Sequence, residues 1–172
     1  TTDAGALDRA DAAGLLDKLN NKTVADRIPA GLQGKNGTWV PITMRARVIV
    51  YSKERAGKNL PKTYEDLADS QWKGRVLIRS SSNAYNQSLL ASILAAEGRD
   101  AALAWAKGVT ANMARPPQGN DRDQVRSVAL GLGELAVVNT YYLGLLENAD
   151  DPKDRAARAA VGVIFPNQSD RG

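Results

Sequence analysis

The sequence predicts an α/β fold, because short segments rich in β-branched residues alternate with segments that carry apolar residues at helical spacing. This alternation indicates a sheet with helices on both faces. The segment from Arg47 to Tyr51 is nearly all apolar, so we expect a strand in the middle of the sheet. A turn signal also predicts a short strand at Trp39 and Val40. The other predicted strands are Arg75 to Ile78, Asn112 to Arg115, Glu134 to Asn139 and Val161 to Phe165.

The predicted helices begin and end at residues with known capping preferences. Thr63 is the expected N-cap of a short helix over Tyr64 to Leu67. Gly98 ends a strongly periodic helix that follows a serine-rich turn. Asp151 and Pro152 have the order of cap and first residue that starts a helix. The other helical segments are Asp3 to Leu19 with a break at Gly14, Ala101 to Lys107, and Asp121 to Leu130.

Length and composition limit what the chain can be. With 172 residues, 43% of them hydrophobic, it can form one ordinary core, or one complete lobe with part of a second. Its apolar runs are shorter than the roughly 20 residues of a membrane span, so we expect it not to cross a bilayer. The chain begins at Thr1 without a signal segment, so we expect any targeting segment to lie outside it or to have been removed.

The chain has neither cysteine nor histidine, which excludes disulfides, thiolate sites and the commonest general base. A metal would therefore be held by carboxylates and phenolates. The net charge of +4 is spread along the chain, and only five Tyr, three Trp and one Phe are present. Nucleic-acid surfaces combine clustered basic residues with aromatic ones, so we expect no nucleic-acid partner.

Two strand ends carry the candidate site. Ligands of α/β sheets bind beyond the carboxyl ends of strands, where helix N-termini offer free N–H groups. Arg79 to Tyr85 follows one predicted strand and Asn139 to Tyr142 ends another, and each places tyrosine in the first turn of a helix. The phenols of Tyr85, Tyr141 and Tyr142 can therefore converge on one cleft.

Ferric iron is the metal that such phenols favour. It is a small, highly charged ion that prefers anionic oxygen. A phenol with a pKa of about 10 ionises at neutral pH only if a cation compensates, and a bound metal or a helix N-terminus provides that charge. The alternative is that each tyrosine is a half-buried packing residue, which is the more frequent role of a single tyrosine near a helix start.

The neighbouring polar residues have two interpretations as well. Arg45 and Arg47 either clamp an anion or balance charge near the phenolates, or else they form salt bridges. Ser81 and Ser82 are further candidate anion contacts at a helix N-terminus, although the serine run that begins at Ser80 is more typical of an N-cap and turn. No histidine is present to activate these hydroxyls, although a lysine could do so.

Five motifs stand out in the sequence. They are MRARVIVYSK at Met44 to Lys53, LPKTYEDLADSQWKGRV at Leu60 to Val76, SSSNAYNQS at Ser80 to Ser88, PPQGNDRDQ at Pro116 to Gln124, and VVNTYYLG at Val137 to Gly144. They resemble motifs of the ferric-iron-binding periplasmic proteins of bacterial ABC importers, particularly the cyanobacterial type. The second motif is common among solute-binding proteins, whereas VVNTYYLG, with Tyr85 upstream, is more specific to iron.

The resemblance implies that Tyr85, Tyr141 and Tyr142 are iron ligands, while Tyr51 and Tyr64 do not match ligand positions. It implies a bilobal fold like that of type II periplasmic-binding proteins, with the iron between the lobes. Residues 1–50 would be a partial first lobe with a crossover strand, residues 51–161 an essentially complete second lobe, and residues 162–172 a return crossover strand.

The same resemblance implies that the chain is truncated at both ends. The opening segment of the first lobe, which in the family contributes further ligands, is absent, and so is the segment after Gly172. Water, a synergistic anion or a neighbouring chain would complete the coordination of Fe³⁺. The uncovered faces of the incomplete lobe favour self-association.

The function expected from the resemblance is that of a non-catalytic periplasmic protein that presents ferric iron to an ABC importer permease. A second interpretation keeps the fold but replaces iron with an oxyanion or small organic anion, bound by the helix N-terminus at Ser80 to Ser82 and by arginines. A third is an enzyme or effector-sensing domain, because a fold does not fix a function.

Overall fold

The computed structural model describes residues 2–168, which form two compact units, one ending at Met44 and one beginning at Arg45. The predicted return strand at residues 162–172 therefore lies partly outside the described residues. The predicted division into lobes at residues 50 and 161 remains a prediction. No helix in the described range is long and apolar enough to cross a bilayer.

The smaller unit contains two α-helices and one short 3-10 helix. They are α1 (Ala4–Ala12), α2 (Lys22–Arg27) and the 3-10 helix Ala30–Leu32. The predicted end of the first helix at Gly14 is confirmed: α1 ends before this residue, whose φ of 69° lies in the left-handed region that favours glycine. The helical segment predicted after it, up to Leu19, is wrong: residues 15–20 form no helix, and Leu15 and Leu19 are exposed.

The predicted strand at Trp39 and Val40 is wrong. The N–H of Gly34 donates to the carbonyl of Trp39 at 3.0 Å, so the Trp39 backbone pairs within its own loop. Pro41 follows and lacks the N–H that a strand ladder would need. The indole of Trp39 covers Gly34, where an added Cβ would lie 2.7 Å from the ring nitrogen.

The larger unit is built on a four-stranded sheet. Its strands are β1 (Arg47–Ser52), β2 (Val76–Leu77), β3 (Leu135–Asn139) and β4 (Val161–Ile164). They lie in the order β2, β3, β1, β4, with β2 parallel to β3 and β1 antiparallel to both of its neighbours. The middle position predicted for β1 is confirmed, and its residues Val48, Ile49 and Val50 are fully buried.

The helices of the larger unit begin close to the predicted residues. They are α3 (Ala84–Glu97), α4 (Arg99–Ala111), α5 (Asp121–Ala129), α6 (Tyr141–Glu147) and α7 (Pro152–Ala159), with 3-10 helices at Glu65–Ala68 and Ser70–Trp72. Gly98 has a φ of 86° and separates α3 from α4, as predicted. The side chain of Asp151 accepts the N–H of Lys153, which confirms the predicted cap of α7.

The edge of the sheet at β2 has less strand than the sequence predicts. The predicted strand from Arg75 to Ile78 is reduced to two residues. The prediction of a strand from Asn112 to Arg115 is wrong. This segment forms only an isolated bridge between Met113 and Val76. Two prolines follow at once, and prolines cannot donate to a ladder, so the pairing stops there.

Two cores lie on opposite sides of the sheet, because successive strand residues point to opposite faces. Ile49 joins Trp72 and Trp105 in the core that packs against α3 and α4. Val48 and Val50 belong to the second core, which packs against α5 and α6. The predicted arrangement of helices on both faces of the sheet is therefore confirmed.

An ion pair joins α5 to α7. The guanidinium of Arg126 donates from Nε to Asp154 Oδ1 at 2.6 Å and from a terminal nitrogen to Oδ2 at 2.8 Å. This bidentate hydrogen bonding holds the pKa of Asp154 below its ordinary value. The pair therefore fixes the relative position of the two helices.

Two helical glycines should respond oppositely to alanine. A Cβ on Gly108 would lie 2.6 Å from the Cβ of Ala68, so we expect Gly108→Ala to lower the free energy of unfolding by about 1–3 kcal/mol. Gly144 in α6 has no such neighbour within 4 Å, so Gly144→Ala should raise it by about 0.5–1 kcal/mol. Urea unfolding followed by circular dichroism measures both, and equal effects would contradict the close packing at Gly108.

Candidate metal centre

Parallel pairing of β2 and β3 brings the two predicted corners together. The carboxyl ends of the two strands lie at the same edge of the sheet. After β2 the chain turns into α3, where the side chain of Asn83 accepts the N–H of Tyr85 at 3.0 Å. After β3 it passes at Thr140 directly into α6, whose first residue is Tyr141. Both helix starts therefore face the same region.

The three predicted tyrosines lie together at this edge. The hydroxyls of Tyr85 and Tyr141 are 3.2 Å apart, although the residues belong to different helices. The rings of Tyr141 and Tyr142 are neighbours, with centroids 4.2 Å apart. Tyr141 is 39% exposed, so the cluster is open to solvent. Their role as metal ligands remains a prediction.

The surroundings of Tyr85 favour its protonated form in the absence of a strong cation. The hydrogen bond with Tyr141 raises the pKa of Tyr85, and burial adds to the increase. Arg45 and a hydrogen bond with Tyr142 act in the opposite direction but do not outweigh it. A cation that binds here must therefore displace protons from the phenols.

Three guanidinium groups surround the ring of Tyr85. The central carbons of Arg45, Arg47 and Arg79 lie 5.3, 5.9 and 5.4 Å from the ring centroid. Distances below about 6 Å are within the range of cation–π attraction. The sequence predicted Arg45 and Arg47 near the phenols but missed Arg79, which lies in the turn after β2.

Arg47 is committed to contacts within the protein. Its side chain is 8% exposed, and its terminal nitrogens donate to Asp121 at 2.7 Å, to Asn86 at 2.6 Å and to Asn139 at 3.2 Å. Burial lowers the pKa of Arg47, and the charge of Asp121 opposes this effect. Arg47 therefore forms the salt bridge that was the alternative to a functional role, and this geometry does not favour a clamp for an external anion. A charge-balancing role beside Tyr85 remains a prediction.

The predicted serines form an exposed turn. The hydroxyls of Ser80 and Ser82 are 2.8 Å apart, and Ser81 lies exposed between them. The N-cap of α3 is Asn83 and not a serine, which corrects the expectation that the serine run supplies the cap. The amide of Asn83 reaches the N–H of Tyr85 because it stands directly before the first helical residue.

A cavity of about 420 Å³ lies along α3 and borders two of the arginines. Arg45 and Arg47 line it, together with Leu89, Ile93 and Phe165. None of the three clustered tyrosines lines it. Its volume falls in the range of small-molecule sites, about 300–1,000 Å³, so it is the space in which the anion interpretation would have to operate.

Sequence reasoning missed Asp121, Asn86 and Asn139 as functional candidates. Asp121 is fully buried and pairs with both Arg47 and Arg79. Its motif PPQGNDRDQ was among the five that carry the family resemblance, which is the one signal that could have identified it. Among the described residues, no group of three or more carboxylates could hold a metal ion.

A family profile described as bacterial extracellular solute-binding protein matches residues 1–168. The chain is 46% identical to iron uptake protein A1 of a Synechocystis species over 172 residues, which is 100% of this chain and 48% of that protein. It is 30% identical over 80% of its length to the major ferric iron-binding protein of Neisseria meningitidis, of which it covers 41%. The chain thus spans about half the length of the relatives it matches.

Solved structures show the same fold. A Trichodesmium protein, described as IdiA or FutA in complex with iron and citrate, matches 99% of this chain and 54% of its own with a TM-score of 0.92 at 46% identity. A ferric binding protein from Campylobacter jejuni matches 95% of this chain and 52% of its own with a TM-score of 0.87, also at 46% identity. The predicted fold class, α/β of the type II periplasmic-binding-protein kind, is confirmed.

The hydroxyl contact can be tested without metal. Tyr141→Phe should lower the pKa of Tyr85, because the hydrogen bond with Tyr141 is the largest cause that raises it. The measurement is an NMR titration of ring-labelled tyrosine, in which Tyr85→Phe identifies the signal. Tyr51→Phe, in β1, serves as the control and should leave the pKa of Tyr85 unchanged. An unchanged or higher pKa in Tyr141→Phe would contradict the contact.

Proposed function

Because the chain belongs to the bacterial extracellular solute-binding protein family, we propose that it binds ferric iron through the phenolates of Tyr85, Tyr141 and Tyr142. The observation that carries this proposal is the 3.2 Å separation of the Tyr85 and Tyr141 hydroxyls. Two oxygen ligands of one octahedral cation, each about 2.1 Å from it, lie about 3 Å apart. The two hydroxyls therefore already have the spacing of ligands that share an ion.

The chemistry of the cluster suits a trivalent ion. Three phenols that lose their protons supply three negative charges, which neutralise Fe³⁺. The exchange of three protons for one ferric ion leaves the charge of the site unchanged, so the nearby arginines do not oppose it. A softer or less charged metal would gain less from phenolate oxygen. Because the phenols must deprotonate, iron binding should strengthen as pH rises.

The remaining coordination positions are open to an anion. Three phenolates leave an octahedral ion incompletely coordinated, and Arg45 lies beside the cluster to balance an anionic co-ligand. The Trichodesmium relative is described in complex with iron and citrate. Citrate is therefore the first co-ligand to test with this chain.

Family membership supports a role in transport rather than catalysis. The chain would act in the periplasm as a carrier that presents its iron to the permease of an ABC importer. Phenolates suit this role, since protonation of the ligands gives a route for release of the ion. The name of the Synechocystis relative, iron uptake protein A1, is consistent with this role.

The test is a visible-absorption titration of the chain with ferric citrate. A saturable phenolate-to-iron charge-transfer band should appear. Tyr85→Phe and Tyr141→Phe should each weaken or shift this band. Each should also lower the affinity for iron by more than about 10- to 100-fold, which is the loss expected when a residue hydrogen-bonded to a metal ligand is removed. Tyr51→Phe is the control, because Tyr51 lies within β1, and it should leave the band unchanged.

Two results would contradict the proposal. Folded wild-type protein without a band has no phenolate iron site. A band that survives in both ligand variants arises from other groups. In the first case, calorimetry with iron-free citrate or phosphate tests the anion interpretation at the cavity bordered by Arg45.

A further inference from the structure

Asp121 occupies an unusual position for a carboxylate. It is the first residue of α5 and has no exposed surface. Its Oδ2 accepts a hydrogen bond from Arg47 at 2.7 Å and from the backbone N–H of Asn139 at 2.7 Å, and its Oδ1 accepts one from Arg79 at 3.2 Å. A buried charge persists only with such partners, so the surroundings of Asp121 are built around it.

The three partners come from the three segments that form the candidate site. Arg47 starts β1, Arg79 lies in the turn that leads to Tyr85, and Asn139 ends β3 immediately before the turn into α6. One carboxylate therefore joins the two corners that carry the phenols. We propose that Asp121 is a positioning residue of the iron site, which holds Arg47 and Arg79 beside Tyr85 and fixes the end of β3.

The same network extends into the first turn of α3. Asn86 follows Tyr85 and accepts from Arg47 at 2.6 Å, while its own amide donates to the carbonyl of Arg79 at 2.8 Å. Tyr85 is thus held by its neighbour in sequence as well as by the cations over its ring. The orientation of the phenol depends on arginines that the carboxylate of Asp121 holds in place.

Charge explains why the arginines need this carboxylate. Two guanidinium groups close together repel each other, and one carboxylate between them makes the arrangement stable while leaving a net positive charge toward the phenol. Such a fixed charge stabilises a phenolate without rearrangement when the proton leaves. Without Asp121, the arginines would turn toward solvent and the end of β3 would lose an anchor.

Asp121→Asn and Arg79→Gln test this proposal, which rests on the proposed function. Asp121→Asn removes the charge but keeps an acceptor for Asn139. Arg79→Gln removes one cation and leaves the pair between Arg47 and Asp121 intact, so it keeps the test valid even if Asp121→Asn fails to fold. Asp154→Asn is the matched control, because it breaks an equally well-formed pair with Arg126 that includes none of the tyrosines or the arginines beside them.

Ferric citrate titration should show affinities about 10- to 100-fold weaker in Asp121→Asn and Arg79→Gln than in wild type. In Arg79→Gln the charge-transfer band should move to longer wavelength, because a phenolate that loses a neighbouring cation gives up an electron more readily. Asp154→Asn should lower the melting temperature with no change in the band or the affinity. If Asp121 had only a structural role, Asp121→Asn would behave like Asp154→Asn, with a lower melting temperature and an unchanged band and affinity.

An iron-free readout tests the positioning directly. In NMR spectra of the apo protein, the side-chain N–H signals of Arg47 and Arg79 should be sharp in wild type and in Asp154→Asn, and should broaden or vanish in Asp121→Asn. If the wild type shows a band and Arg79→Gln leaves both the band and the affinity unchanged, the inference about Asp121 is overturned while the proposed function stands. Wild-type protein without a band overturns the proposed function, and the NMR comparison then still decides whether Asp121 orders the arginines.

Discussion

A carboxylate without exposed surface is stable only where cations and N–H groups surround it. In this chain the carboxylate of Asp121 has both, since Arg47 and Arg79 pair with it and the backbone of Asn139 donates to it. These donors belong to β1, to the turn after β2 and to the end of β3. The strand order, the turn after β2 and the start of α5 must therefore all be in place before the charge of Asp121 can be buried. The positions of the clustered tyrosines depend on the same elements.

The phenol cluster combines two opposing electrostatic effects. The hydrogen bond between Tyr85 and Tyr141 raises the pKa of Tyr85, whereas the charge of Arg45 beside its ring favours the ionised form. The net effect is a raised pKa, so Tyr85 keeps its proton until a strong cation arrives. In the proposed function, three protons are exchanged for one ferric ion without a change in net charge, as a reversible carrier of a trivalent ion requires.

Local pattern predicted most of the secondary structure of the larger unit. The apolar run of β1, the glycine after α3 and the Asp-Pro start of α7 all have local physical causes, and all were predicted correctly. The failures occurred where pairing depends on distant partners. Trp39 and Met113 have residue types that suit strands, but a following proline and the lack of a continuous partner strand prevent a ladder.

The sequence by itself determined which chemistry is available: without histidine or cysteine, oxygen ligands remain, and three tyrosines stand at strand-to-helix corners. It also predicted that the corners would face one region. Only the tertiary structure decided what surrounds the phenols, since the hydrogen bonds among Arg47, Arg79, Asp121 and Asn139 join residues 18 to 92 positions apart in sequence. Contacts of that span follow from strand order and register, which local periodicity does not encode.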